Sequence, residues 1–336
     1  MTKYIESIDV LKGITIMLVV IGHAVQGVVS SQHLTINTEY NSIFILKQII
    51  YGFHMPLFFI IAGLFVNSWV KRNFKEAMLQ KIFRLMVPYF VWSAITALAM
   101  QIASNYTNYG LGIKDFLLSP IIPFSQYWFL YVLFFIHIIY YILINIKLFN
   151  GKLFFLLLSI ILYLLNPLII NIWIFDNLCK YMIFFSIGSY ILDFINLKQF
   201  KCTTIALPTT CFLLINIIYI NILYFNNNLL NYYFGFITSI LGSGFCFLLS
   251  YYCINKIKII KEILCFWGKK SMEIYCVHLL ILASIRISLL KIFNINELWC
   301  IVVLSGSMTL IICHMIFSKI FYEKTKLTIL FGIKSK

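Results

Sequence analysis

The sequence predicts an all-α integral membrane protein, a bundle of about ten transmembrane helices with the N- and C-termini cytoplasmic, and three observations predict it. The first is composition: of 336 residues 62% are hydrophobic and 11% charged, and the mean hydropathy is +0.95. A chain so poor in charge cannot keep a polar surface, so its solvent is lipid. The second is periodic apolarity. A spanning helix needs roughly 20 mainly apolar residues, and such stretches lie near 14–29, 44–66, 82–103, 127–146, 153–172, 179–195, 203–223, 232–254, 272–293 and 298–318. The third is charge placement, because Lys and Arg are retained on the cytoplasmic side of short loops. With the N-terminus inside, one side holds Lys3 and Lys12, the run Lys71 to Arg84, Lys147 and Lys152, Lys198 and Lys201, Lys256 to Lys270, and Lys319 to Lys336. Those are 21 of the 26 basic residues, and an odd number of spans would scramble the alternation.

Glu6 and Asp9 dilute the positive start that a secretory signal requires, and no small-residue cleavage site follows Val29, so the first stretch reads as a retained helix. The longest external loop, around 104–126, carries Asn105, Asn108, Gly110, Gly112, Pro120 and Pro123, all of which stop helices. Residues 1–336 read as a single transmembrane domain with no separate soluble domain, placed multi-pass in the plasma (inner) membrane. The net charge of +15 is accounted for by the topology, so no nucleic-acid partner is needed. Nine cysteines at 179, 202, 211, 246, 253, 265, 276, 300 and 313 form no Cys-x-x-Cys pair and read as small buried hydrophobes. No Cys/His cluster has ligand spacing, so no metal is expected.

Polar groups carried into lipid cost free energy, which makes their positions the best functional clues. Lys12 and His23 are 11 residues apart on the first helix. That separation is three turns plus about 20°, so they share a face, with His23 roughly 16 Å deeper. An imidazole out of water stays neutral and can accept a proton, which makes His23 a candidate general base; hydrogen bonding to a neighbouring helix is the plainer role. In the second span His54 stands at the external end beside Pro56, read as a helix-entry proline, and it caps an interface or joins His23 in one cavity. Lys81 and Arg84, i and i+3 at the start of the third span, suit a phosphate presented from the cytosol. Positive-inside topology explains the neighbouring Lys71, Arg72 and Lys75, but explains less well why Arg84 lies several residues into apolar sequence.

Several weaker candidates remain. Trp128 is a channel wall or an interfacial anchor. Ser271 and Glu273 fit a helix N-cap and a first-turn acid. Arg286, eight residues beyond His278 on one helix face, binds an anionic group or, more simply, snorkels to the external surface. His137 and His314 read as structural.

Taken together, Ile8-Asp9-Val10-Leu11-Lys12-Gly13 through Gly22-His23, His54-Met55-Pro56-Leu57-Phe58-Phe59, Lys81 to Pro88, Tyr127-Trp128-Phe129-Leu130, and Gly268, Lys269, Ser271, Tyr275 and His278 resemble the acyltransferase-3 family of membrane acyltransferases. The match is strongest to the branch resembling fucose 4-O-acetylases, and it spans nearly the whole chain. The resemblance implies a ten-helix O-acyltransferase. Such an enzyme takes an acyl group, usually acetyl, from cytosolic acyl-CoA (acetyl-CoA) and places it on a hydroxyl of a surface polysaccharide or its lipid-linked precursor. By the resemblance His23 is the catalytic base or acyl relay, and His54 positions the acceptor or the thioester carbonyl. Lys12, Lys81 and Arg84, with Trp128, hold coenzyme A, and Asp9, Tyr275, His278 and Arg286 support the site. The sequence departs from the broad family pattern with lysine at 12, where the family has arginine; lysine is usual in the fucose-acetylase-like branch. It departs again with lysine at 81, where the family has an arginine pair, and with Ala62, where serine is common. Lysine keeps the charge and loses the planar fork. Some relatives add a soluble C-terminal domain for the acceptor. Here the acceptor is expected to reach the membrane domain directly or through glycan-assembly proteins.

Two other classes fit the same helices. A secondary transporter exporting a small metabolite is one, although ion-coupled transporters place Asp or Glu at midplane and the acids here fall near the span ends or outside. A noncatalytic scaffold in polysaccharide assembly is the other, and it would leave Lys12, His23, Lys81 and Arg84 replaceable.

Overall fold

The computed structural model describes residues 2–30, 38–104, 110–145, 150–168, 172–194, 210–216, 218–219, 228–256, 258–318 and 326–333. Among them eight helices are long and apolar enough to cross a membrane: Glu6–Val29, Asn41–Trp69, Phe74–Ile102, Ser125–Asn145, Gly151–Leu168, Leu229–Cys253, Ser271–Lys291 and Leu298–Ile316. The stretch expected at 179–195 falls in a further helix, Trp173–Phe194. Of the stretch expected at 203–223, residues 210–216 and 218–219 are helical and the rest lies outside the described residues. Large apolar side chains stand exposed along the spans, among them Leu98, Leu157, Ile161, Val303 and Ile311, as a lipid solvent allows. The protein is a multi-pass membrane protein. It divides into two compact units: Met1–Leu57, Asn105–Tyr109 and Leu197–Lys324 in the first, and Phe58–Ser104, Gly110–Asn196 and Thr325–Lys336 in the second.

The first unit is built on α1 (Thr2–Val29). This helix is apolar nearly all round, and such a helix belongs in the interior of a bundle. Val10, Leu11, Ile16, Val20 and Val25 are accordingly buried, and α7 (Asn228–Lys256), α8 (Lys258–Lys269), α9 (Ser271–Lys291) and α10 (Leu298–Ile316) pack around it. The segment holding Lys258, Lys261 and Lys269, read from sequence as a cytoplasmic loop, is the amphipathic helix α8. Its Leu264 and Gly268, four residues apart, are buried while Lys258, Glu262 and Lys269 are exposed. Two glycines set its approach. A Cβ on Gly13 would collide with the Leu264 carbonyl, and one on Gly268 with the Asp9 carbonyl, so the two backbones touch directly. Lys261 closes the contact with an ion pair to Glu6 at 2.7 Å.

The helix α2 (Thr38–Leu64) corrects the reading of Pro56 as a helix entry, because the proline lies inside a continuous helix. Proline has no N–H, so the Gly52 carbonyl one turn back loses its intrahelical donor. Ser239 of α7 meets it: the Oγ lies 2.6 Å from the Gly52 oxygen and 2.7 Å from the Gly235 oxygen of its own helix. A hydroxyl from a neighbouring span thus satisfies the freed backbone group where water does not reach. Ser239→Ala is expected to lower stability by about 1 to 3 kcal/mol, the cost of an unmet buried carbonyl. Thermal unfolding in detergent, with Ser307→Ala at an exposed position as the reference, checks it.

In the second unit α3 runs from Phe74 to Ile102 and is interrupted at Ile82–Met86 by one π turn. Pro88 explains the interruption. It cannot donate to the Arg84 carbonyl, and the ladder instead widens, with the Val87 N–H reaching back five residues to Ile82. The loop after α3 is tied onto it among the described residues 110–127. Tyr89 donates to the Ser119 carbonyl at 2.6 Å and accepts from the Phe124 N–H, and the Thr96 and Tyr127 hydroxyls lie 2.8 Å apart. The helices α4 (Trp128–Asn145), α5 (Gly151–Leu165) and α6 (Trp173–Phe194) complete the unit. A six-residue 3₁₀ turn, Lys326–Phe331, also packs on α3: Trp92 donates to the Leu330 carbonyl at 3.1 Å and stacks near Phe331.

Candidate functional site

The first unit gathers three imidazoles and a phenol. Gly22 lets α2 close on α1, since a Cβ there would lie 3.1 Å from Ile50 and 3.3 Å from the Tyr51 ring. The next residue, His23, is half-buried, and its Nδ1 lies 3.5 Å from the Tyr51 hydroxyl. The His54 ring sits edge-on to Tyr51 at 4.8 Å, and the His278 ring lies 5.1 Å from His23. The structure therefore brings together His23, His54 and His278, which lie far apart in sequence.

Hydrogen bonds to the backbone fix the tautomers of the two flanking rings. His54 is 2% exposed, and its Nδ1–H donates to the Ile50 carbonyl at 2.7 Å. His278 is fully buried, and its Nδ1–H donates to the Tyr275 carbonyl at 2.8 Å, with the Ile274 carbonyl at 3.1 Å. A neutral imidazole that donates from one nitrogen accepts at the other, so both rings offer a bare Nε2. The His278 Nε2 is buried and has no hydrogen-bond partner among the described residues. An acceptor left so is costly, and it suits a donor that comes and goes.

The first unit also holds other expected residues. Lys12 is half-buried, with Nζ 3.4 Å from the Asp9 carboxylate. Tyr275 is buried with its ring 6.0 Å from His278. Arg286 does not snorkel outward; it is 8% exposed and lies against Gly27, one turn beyond His23. Only a glycine leaves that space, since a Cβ at 27 would collide with the guanidinium. The expected N-cap at Ser271 is also corrected. Lys270 holds the cap position with no side-chain capping hydrogen bond, Ser271 is the first helical residue, and Glu273 is buried, 3.4 Å from the Lys270 ammonium.

The second unit holds the remaining candidates. Lys81 and Arg84 flank the π turn, which takes them out of ordinary i, i+3 register: Lys81 is half-buried and Arg84 exposed. Lys81 Nζ lies 2.7 Å from His137 Nε2 and 5.0 Å from the Trp69 ring. His137, read from sequence as structural only, is thus in direct contact with an expected site residue. No local signal reveals this pairing across 56 positions. Trp128 is half-buried in an aromatic cluster with Tyr181 at 5.2 Å, Trp173 at 6.0 Å and Phe59 at 6.5 Å. In the first unit, His314 lies on the Phe266 ring at 4.3 Å. The eight described cysteines are free thiols, five of them buried.

Comparison with known proteins adds a second kind of finding. The acyltransferase-3 family model, described as an acyltransferase domain, matches residues 5–317. Over 125 residues the chain is 32% identical to "Nodulation protein NolL" of Sinorhizobium fredii (strain NBRC 101917 / NGR234). That segment is 37% of this chain and 32% of the relative, so the match spans about a third of the relative's length. No solved structure matches the chain.

Proposed function

The chain belongs to the acyltransferase-3 family, and from that premise we propose that it moves an acyl group, in the first instance acetyl, from cytosolic acyl-CoA to a carbohydrate hydroxyl. The acceptor is a surface polysaccharide or its lipid-linked precursor, and the enzyme works in the plasma membrane with both termini inside. That the chain is a membrane acyltransferase rests on the family. The single observation that carries it is the imidazole cluster among the spanning helices: His23 beside Tyr51 and His278, with His54 next to Tyr51.

The chemistry follows from that arrangement. His23 accepts the proton of the acceptor hydroxyl as its oxygen bonds to the thioester carbon. The carbon–sulfur bond then breaks, and coenzyme A leaves as the thiolate, which takes up the proton that His23 accepted and returns the imidazole to its neutral form. A second neutral imidazole 5.1 Å from His23, with a bare Nε2, offers the acceptor hydroxyl or the bound proton a further lone pair. His54 orients Tyr51. In the second unit Lys81 and Arg84 offer positive charge suited to the phosphates of the donor and Trp128 offers an aromatic wall; in the first, Lys12 offers positive charge of the same kind.

Expression in a host with a defined surface glycan tests this. New ester-linked acetyl protons in the NMR spectrum of the purified glycan are the expected result, absent from the His23→Ala strain. A small metabolite accumulating outside the cell, with no new ester, would favour the transporter instead.

A further inference from the structure

The contact between Lys81 and His137 in the second unit has no counterpart in the chemistry described so far. His137 sits on α4, 2% exposed, between the rings of Trp69 at 5.1 Å and Phe185 at 4.9 Å. Its Nδ1–H donates to the Leu133 carbonyl one turn back at 2.7 Å. That bond fixes the tautomer and leaves Nε2 with a lone pair, on which the Lys81 ammonium donates at 2.7 Å. Trp69 is itself anchored, its Nε1–H donating to the Ala77 carbonyl at 3.2 Å, and its ring lies 5.0 Å from the same ammonium. Helix α4, an anchored indole and a backbone-locked imidazole therefore converge on one nitrogen.

A lysine is a point charge on a flexible four-carbon stem, so its usefulness depends on what limits its rotamers. Of the three ammonium hydrogens, one is committed to His137 Nε2, and the other two then point in fixed directions. We propose that His137 is a positioning residue for Lys81, holding the ammonium oriented for the phosphate oxygens of the acyl donor. The inference rests on the reading of Lys81 as a donor-binding residue. The imidazole supplies part of the rigidity that a guanidinium fork carries in itself and a lysine lacks.

The test is binding of coenzyme A to the purified full chain in detergent, by isothermal titration calorimetry. Four variants are compared: His137→Leu, His137→Gln, Lys81→Ala, and the double variant His137→Leu with Lys81→Ala. Loss of one hydrogen bond to a charged group is expected to raise Kd about tenfold in His137→Leu. Glutamine carries an acceptor oxygen at comparable reach, so His137→Gln is expected to stay within about threefold of the parent. Lys81→Ala weakens binding at least as much as His137→Leu, and the double variant is no weaker than Lys81→Ala, because both changes remove one interaction. Unchanged affinity in His137→Leu beside a weakened Lys81→Ala would overturn the positioning role and leave the reading of Lys81 standing. Unchanged affinity in Lys81→Ala would overturn that reading itself. Equal losses in the leucine and glutamine variants, or additive losses in the double variant, would make His137 a packing residue only.

Discussion

His23→Ala is expected to yield a folded chain whose acyl transfer falls by about 10² to 10⁴-fold, the range a positioned general base contributes. The fold should survive, because His23 is half-buried and its contact with the Tyr51 hydroxyl, at 3.5 Å, is long. The packing of α1 instead rests on the apolar residues around it, among them Val20, Ala24 and Val25. His278→Ala, by contrast, opens a cavity at a fully buried site and removes the Nδ1–H from two backbone carbonyls, so it should lose stability as well as activity. Initial rates of thiol release from acetyl-CoA with the acceptor glycan, beside a melting curve for each variant, separate the two cases. Near-parental turnover in His23→Ala would remove the assignment of the base and move attention to His278.

The second large effect is structural. Gly188→Leu is expected to destabilise the second unit by about 1 to 3 kcal/mol or more, the usual cost of overpacking a closed contact. Gly63 of α2 and Gly188 of α6 are reciprocal: a Cβ on Gly63 would collide with the Phe185 carbonyl, and one on Gly188 with the Ile60 carbonyl. The colliding atoms are backbone, so no rotamer change relieves them. Helices in lipid gain little from a hydrophobic drive and rely on close backbone approach of this kind. The helices must part, and the bonds beyond the contact are then lost, Asn67 to the Ser189 carbonyl at 2.8 Å and Tyr140 to Asn67 at 2.7 Å. Size-exclusion profiles and melting curves in detergent check this. Gly244→Ala is the control, since nothing lies within 4 Å of a Cβ there, and it should be neutral or slightly stabilising.

What the sequence by itself determined is everything that depends on local pattern. Its apolar runs announced a lipid solvent and the helices that cross it, because length and hydropathy decide that without reference to partners. The shared face of Lys12 and His23 is likewise a matter of helical period. The tertiary structure alone decided which groups meet. Pro56 looked like the start of a helix because its lost bond is local and the compensating Ser239 hydroxyl reaches the Gly52 carbonyl from 187 positions away in α7. Arg286 looked like a snorkelling cation because nothing near it in sequence reveals the gap at Gly27. The approach of His278 to His23, of Tyr51 to both His23 and His54, and of His137 to Lys81 follows from close contacts between distant segments. Gly22 lets Tyr51 approach His23, and the packing of one helix on another is a property of pairs that no single stretch of chain encodes.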